Sequence, residues 1–144
     1  MAHPRRNQKH LGIDSNVLVA YLDGGHPQHQ KAARLASRRV ALNPTVIHET
    51  YHTLVFKLKW TPEGASNALI EILNDKDVLF LSQTKETTRK GLQLAKKYAL
   101  GGRDALILAG FLDSSVPEIV TFNSELLRLR KIEHGIKTLK ILAV

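Results

Sequence analysis

The sequence contains no cysteine. A disulfide framework and any thiolate zinc site are therefore excluded, and the composition suits a reducing cytoplasm. Long hydrophobic runs are also missing: the longest, Ala105 to Leu112, is eight residues, far below the roughly 18 that would suggest a membrane span. The first ten residues are polar and basic with no apolar stretch after them. No secretory signal is expected, and the reading is of a soluble, cytoplasmic chain with no membrane partner. Internal repeats and low-complexity segments are absent too. Carboxylates are scarce in the first 60 residues, where nine basic side chains meet only Asp14, Asp23 and Glu49. In so acid-poor a region each carboxylate calls for a reason.

What is present describes an ordinary globular chain of basic character. With 144 residues, it is close to the size of one domain and large enough to bury a substantial core. Hydrophobic residues make up 43% and charged residues 24%, which argues against wholesale disorder. The net charge of +8 and pI near 9.9 are those of a protein that meets polyanions.

Short apolar segments alternate with helical patterns. His10 to Ile13 reads as a strand feeding a helix over Asn16 to Leu22, which Gly24-Gly25 breaks. Pro27 is placed to open a second helix with a small-residue face up to Arg39. Val40 to Leu42 is a brief strand. From Asn43-Pro44 the apolar stripe Val46, Ile47, Tyr51, Leu54 and Leu58 predicts a helix through Lys59, and Thr61-Pro62 starts another that runs to about Asn74. Val78 to Leu81 reads as a buried strand. Thr84 to Leu100 reads as an amphipathic helix closed by Gly101-Gly102. Arg103 to Leu112 is apolar all round after its first residues and so should be central. Ile119 to Phe122 and Thr138 to Leu142 are the remaining strands expected. The pattern predicts a single-domain α/β layer architecture with a mainly parallel central sheet over residues 11–144. Residues 1–10, with Arg5, Arg6 and Lys9, are expected to form a flexible basic tail.

Ligands of open parallel sheets gather beyond the carboxyl ends of the strands. Asp14 ends the first strand, Asn123 ends a late one, and Asp104 opens the central helix. Each has a structural alternative, since Asp14 and Asp104 can cap helices and Asn123 suits a turn. Their joint placement at one end of one sheet favours a site.

Four segments resemble, in order, the signatures of PIN domains: Asp14-Ser15-Asn16-Val17-Leu18 after a strand, Glu49 inside a helix, Gly102-Arg103-Asp104-Ala105-Leu106-Ile107-Leu108-Ala109, and Val120-Thr121-Phe122-Asn123. More narrowly they are similar to the single-domain VapC-like toxins of toxin–antitoxin modules. The resemblance spans Leu11 to about Leu127. It implies a three-layer α/β ribonuclease holding Mg²⁺ or Mn²⁺ in an acidic cluster, and an antitoxin partner. It carries over Asp14, Glu49 and Asp104 as the catalytic, metal-binding acids, with Glu49 as ligand or base, while Asn123, standing where the family usually has a fourth Asp, is expected to serve as a neutral oxygen ligand or water-positioner. A homodimer is left open.

The chemistry gives such a cluster its own reason. A hard cation held by carboxylates lowers the pKa of water, orients it and neutralises charge developing at a phosphodiester. Three carboxylates in one pocket also repel one another, so at least one should have a raised pKa. Ser15, Asn16 and Thr121 flank the acids and could hydrogen-bond water or phosphate, or serve as caps. Arg103 beside Asp104 could clamp phosphate oxygens or pair with an acid. On the helix from Thr84 to Leu100, Lys85, Arg89 and Lys96 share a narrow arc, with Lys90 and Lys97 beside it and Leu92, Ala95 and Ala99 expected to face the core. This arc is either an RNA-contacting stripe or a solvated face.

His48-Glu49-Thr50-Tyr51-His52 matches H-E-x-x-H, a zinc-peptidase pattern. That reading lacks a third ligand and leaves Asp14, Asp104 and the positive charge unexplained. Metal-dependent ribonuclease is the function expected. A non-catalytic RNA-binding module and a zinc metallopeptidase are the alternatives.

Overall fold

The computed structural model describes residues 8–144. Its elements run β1 (Leu11–Ile13), α1 (Ser15–Leu22), α2 (His29–Ala33), β2 (Val40–Leu42), α3 (Pro44–His52), α4 (Pro62–Leu73), β3 (Leu79–Phe80), α5 (Lys85–Tyr98), α6 (Gly102–Asp113), β4 (Glu118–Thr121), α7 (Ser124–Leu129), β5 (Lys131–His134) and β6 (Lys137–Ala143). The six strands form one sheet in the order β3-β2-β1-β4-β6-β5. All neighbours are parallel except the β5–β6 pair, so the expected α/β fold with a mainly parallel sheet is what the chain adopts. Leading from β1 outward to β2 and β3, the chain returns on the other side of β1 as β4. Connections therefore diverge between β1 and β4, which makes that point the crevice of the sheet.

The core lies where the two central strands meet α1, α3 and α6. Leu11, Ile13, Leu42, Ile119 and Val120 from the sheet pack with Val17, Val46, Ile107, Leu108 and Phe111 from the helices. Gly12 is required by this packing: a Cβ there would stand 3.1 Å from the Phe111 ring and 3.2 Å from the Glu118 carbonyl. As expected of a helix that is apolar nearly all round, α6 is buried from Ala105 to Leu112 except at Leu106.

Several local expectations are corrected. Pro27 precedes its helix in a turn, α2 starts at His29, and the chain then tightens into a 3-10 turn, Arg34–Ser37. Beyond His52 the third helix widens into a π-helical turn, Thr53–Lys57, with Leu58 N donating to Thr53 O. This shifts the register of the apolar stripe, so Leu58 is exposed while Leu54 is buried. The β3 strand is a short, half-exposed sheet edge, not a buried strand. Helix α5 ends at Ala99, which takes the left-handed conformation expected of a glycine, and Gly101 instead caps α6. Helix α7 and strand β5 were not expected at all. Of the expected basic tail, residues 1–7 lie outside the described residues, and Arg39 donates to the Gln8 carbonyl at 3.3 Å.

The face of α5 is also corrected. Its buried residues are Thr87, Gly91 and Leu94, whereas Leu92 is 66% exposed. At about 100° per residue Leu92 lies roughly 20° from Lys85, inside the basic arc. The true inner face is centred on Gly91, where a Cβ would stand 3.2 Å from Leu106 Cα. An apolar count cannot see a face whose central residue has no side chain.

Candidate active site

Asp14 stands at the end of β1, Glu49 lies on α3 after β2, and Asp104 opens α6, which leads into β4. Asp14 follows β1 directly, its backbone N–H donates to Val120 O of β4, and its extended conformation caps α1. The side chain is 3% exposed. One oxygen accepts from Ser15 N at 2.8 Å and the other from Thr121 Oγ1 at 2.7 Å. Burial pushes the Asp14 carboxyl up from 3.8 to about 6, the two hydrogen bonds opposing and the Asp104 and Glu49 charges reinforcing the rise.

Glu49 is delivered by α3. Asn43, fully buried after β2, accepts from Val46 N at 3.1 Å and donates to Ile107 O at 3.3 Å, so it both caps α3 and ties it to α6. Gly110 leaves room for it, since a Cβ there would meet Asn43 Nδ2 at 2.8 Å. Val46, Ile47 and Thr50 face inward, placing Glu49 at the boundary between core and solvent. There Glu49 accepts from Ser15 Oγ at 3.0 Å and pairs with Arg103 Nε at 3.5 Å.

Asp104 sits in the first turn of α6, whose N-cap is Gly101, so the capping alternative is excluded for it. Asp14, by contrast, is both a cap and a member of the cluster. Burial raises the pKa of the half-buried Asp104, Arg103 opposes the rise, and Glu125 adds to it. An open cleft of about 350 Å³ adjoins the acids, lined by Pro44, Thr45, His48, Glu49, His52 and Arg103.

A family model for the PIN domain matches residues 12–132.

The chain belongs to the PIN-domain family.

This PIN domain is similar in structure to VapC20 of Mycobacterium tuberculosis, described as a sarcin-ricin loop cleaving toxin. The TM-score is 0.69 at 19% identity, covering 79% of this chain and 90% of that one. It is also similar to VapBC2 of Rickettsia felis bound to a promoter DNA fragment, with TM-score 0.64 at 15% identity over 93% and 98% of the two chains. A third neighbour is a toxin–antitoxin complex from Klebsiella pneumoniae, with TM-score 0.59 at 18% identity over 79% and 87%. Likenesses at these identities establish a shared fold. No curated protein matches the chain by sequence.

The fold of the PIN domain thus sets Asp14 against Ser15 and Thr121 and Glu49 against Ser15 and Arg103, with Asp104 within electrostatic reach of Asp14 and Arg103. The flanking polar residues are occupied within the site. Asn16 donates to Thr121 Oγ1 at 3.3 Å and accepts from Phe122 N at 3.1 Å, joining α1 to the end of β4. Asn123 caps α7, its oxygen accepting from Glu125 N at 2.9 Å. Glu125 is the acid whose charge Asp104 senses. Lys85, Arg89 and Lys96 are exposed on α5, but Arg89 pairs with Glu86, while neighbouring Lys90 pairs with Asp113. Sequence reasoning passed over Thr45 and Gln83, although Thr45 lines the cleft and donates to Gln83 Oε1 at 2.7 Å. Only the position of Thr45 in the first turn of α3 pointed to it.

Among the described residues, no three His, Asp or Glu side chains stand close enough around one point to hold a metal ion. In this arrangement Glu49 is engaged by Ser15 and Arg103, and Asp14 by Thr121. The donor chemistry nevertheless fits a hard dication: the set is all oxygen, and buried Asp14 carries an electrostatic penalty that a cation would relieve.

Proposed function

We propose that the chain is a metal-dependent endoribonuclease that hydrolyses RNA phosphodiester bonds, acting as the toxin of a toxin–antitoxin pair in the cytoplasm. The reading is carried by one observation: buried Asp14 at the sheet crevice, its pKa raised with Asp104 and Glu49 contributing, in a PIN domain. Structural neighbours described as a toxin and as toxin–antitoxin complexes support the antitoxin partner. Residues 11–144 form the nuclease domain in this reading, with residues 1–10 a basic appendage.

Asp14 and Asp104 would hold Mg²⁺ or Mn²⁺, with Glu49 as a further ligand or as the base. When bound, the ion lowers the pKa of a water and neutralises charge at phosphorus. Thr121 and the Ser15 N–H hold the Asp14 carboxylate in one rotamer, so its direction is fixed before substrate arrives. Ser15 Oγ does the same for Glu49. Arg103, with a side chain 78% exposed, reaches from Glu49 toward solvent and would meet the non-bridging phosphate oxygens. Asn123 supports the end of β4 and α7, and Glu125 is the stronger candidate for a fourth acid. Lys85 and Lys96 would add long-range attraction for RNA.

Incubation of the purified protein with structured and unstructured RNA, with and without Mn²⁺, tests the assignment. Mn²⁺-dependent cleavage that Asp14→Asn abolishes is expected. Binding without cleavage under every metal condition would leave an RNA-binding module instead. In the peptidase reading, His48 and His52 would hold zinc retained after purification, which elemental analysis would reveal.

A further inference from the structure

The cleft beside the acids is lined by chemically different groups. Glu49 and Arg103 are shared with the acidic cluster. His52 also lines it, and its ring stands 4.9 Å from that of Phe56, centroid to centroid, at a tilt of 38°. Phe56 is 60% exposed and belongs to neither core cluster, so interior packing does not explain its position. It lies on the π-helical turn that follows α3, and such turns accompany functional sites.

We propose that the His52–Phe56 pair is a stacking platform for an unpaired base of single-stranded RNA, next to the phosphate presented to the acids. This rests on the ribonuclease reading and adds the form of the substrate. Each feature matches a requirement of such a ligand. A backbone phosphate finds Arg103 in the same cleft, on a chain of net charge +8. The base attached to it needs an apolar, planar surface within one nucleotide, and every base has a face that stacks. The volume, about 350 Å³, falls in the range of small-ligand sites. Bases inside an A-form duplex are closed to such a surface, so the platform selects loops and single strands.

The test uses the Asp14→Asn chain, so that binding is read without cleavage. A fluorescein-labelled single-stranded oligoribonucleotide of about ten nucleotides is titrated and followed by anisotropy. Adding His52→Ala or Phe56→Ala is expected to weaken binding by about 5- to 150-fold, the equivalent of about 1–3 kcal/mol for one stacked base. His52→Phe should restore it. The slope of log affinity against log salt should not change, because no phosphate contact is removed. A blunt-ended duplex with no loop should bind all variants equally. Unchanged single-strand affinity in both alanine variants would overturn the proposal, as would an equal loss with the duplex. Phe56→Ala altering the sedimentation coefficient while sparing RNA affinity would also overturn it, by assigning the ring to an interface between copies. Stacking losses without cleavage by the Asp14-intact chain would sink the nuclease reading alone, whereas cleavage without stacking losses would sink the platform alone.

Discussion

Replacing Asp14 with Asn should stabilise the metal-free protein at neutral pH while abolishing its activity. Burial raises the Asp14 pKa from 3.8 to about 6, so the folded chain holds this proton more tightly than the unfolded chain. Stability from this group is complete below about pH 4 and is lost as the pH rises through about 6. The loss amounts to about 3 kcal/mol. Asparagine does not titrate, and its amide has only one oxygen for the two donors Ser15 N and Thr121 Oγ1, so it loses one accepted hydrogen bond, at about 1 kcal/mol. The variant should therefore be slightly less stable than the wild type at pH 4. At pH 8 in EDTA it should be more stable by about 2 kcal/mol, or about 4–8 °C in Tm. Urea denaturation of both proteins across this range measures the difference. Excess Mn²⁺ should close the gap at pH 8, because a ligand of the folded state stabilises only the chain that binds it. A difference that stays constant from pH 4 to pH 8 would refute the electrostatic account of the site.

Gly110→Ala should cost about 1–3 kcal/mol, since the new methyl group would displace Asn43 from its capping position, and should lower cleavage through Glu49; thermal melts and rates measured together check both. Asn123→Ala should lose about 1 kcal/mol of stability as a removed N-cap, while Asn123→Asp should keep stability and tighten Mn²⁺ binding in calorimetry. Glu125→Gln should weaken that binding and lower the Asp104 pKa, because the Glu125 charge helps to raise it; NMR titration of Asp104 reads the second effect. Replacing Lys85 and Lys96 together should flatten the salt dependence of single-strand binding by about 1.4, at ~0.7 per phosphate contact.

The acids were legible because topology is simple in a parallel sheet. Carboxylates at the ends of apolar segments must lie at one edge, and Asp14 and Asp104 do. A raised carboxylate pKa is expected from repulsion among the acids, whereas at Asp14 burial is the larger cause and the Asp104 and Glu49 charges only add to it. What holds the acids was not, because Thr121 meets Asp14 from 107 positions away and no local pattern encodes that register. The β5–β6 hairpin was missed although Ile132, Leu139 and Ile141 alternate inward and Gly135 turns the chain at φ 62°. The β5 segment is only four residues, Lys131–His134, with one buried apolar side chain, too short for its alternation to stand out. Leu92 was misplaced because Gly91, not an apolar side chain, marks the inner face of α5. The capping of α7 by Asn123 was not legible because α7 itself was not foreseen.

The junction of β1 with β4 has a consequence for synthesis of the chain. Asp14 is made early, but the hydroxyl that orients it is on Thr121, and β4 is itself flanked by β6 near the end of the chain. During translation the first strand can pair with β2 on one side only, its other edge waiting for a partner more than 100 residues downstream. The ordered carboxylate therefore comes into being only when the last strands dock. A ribosome carrying an incomplete chain carries no assembled site, and a product truncated before β4 has the acids without their arrangement.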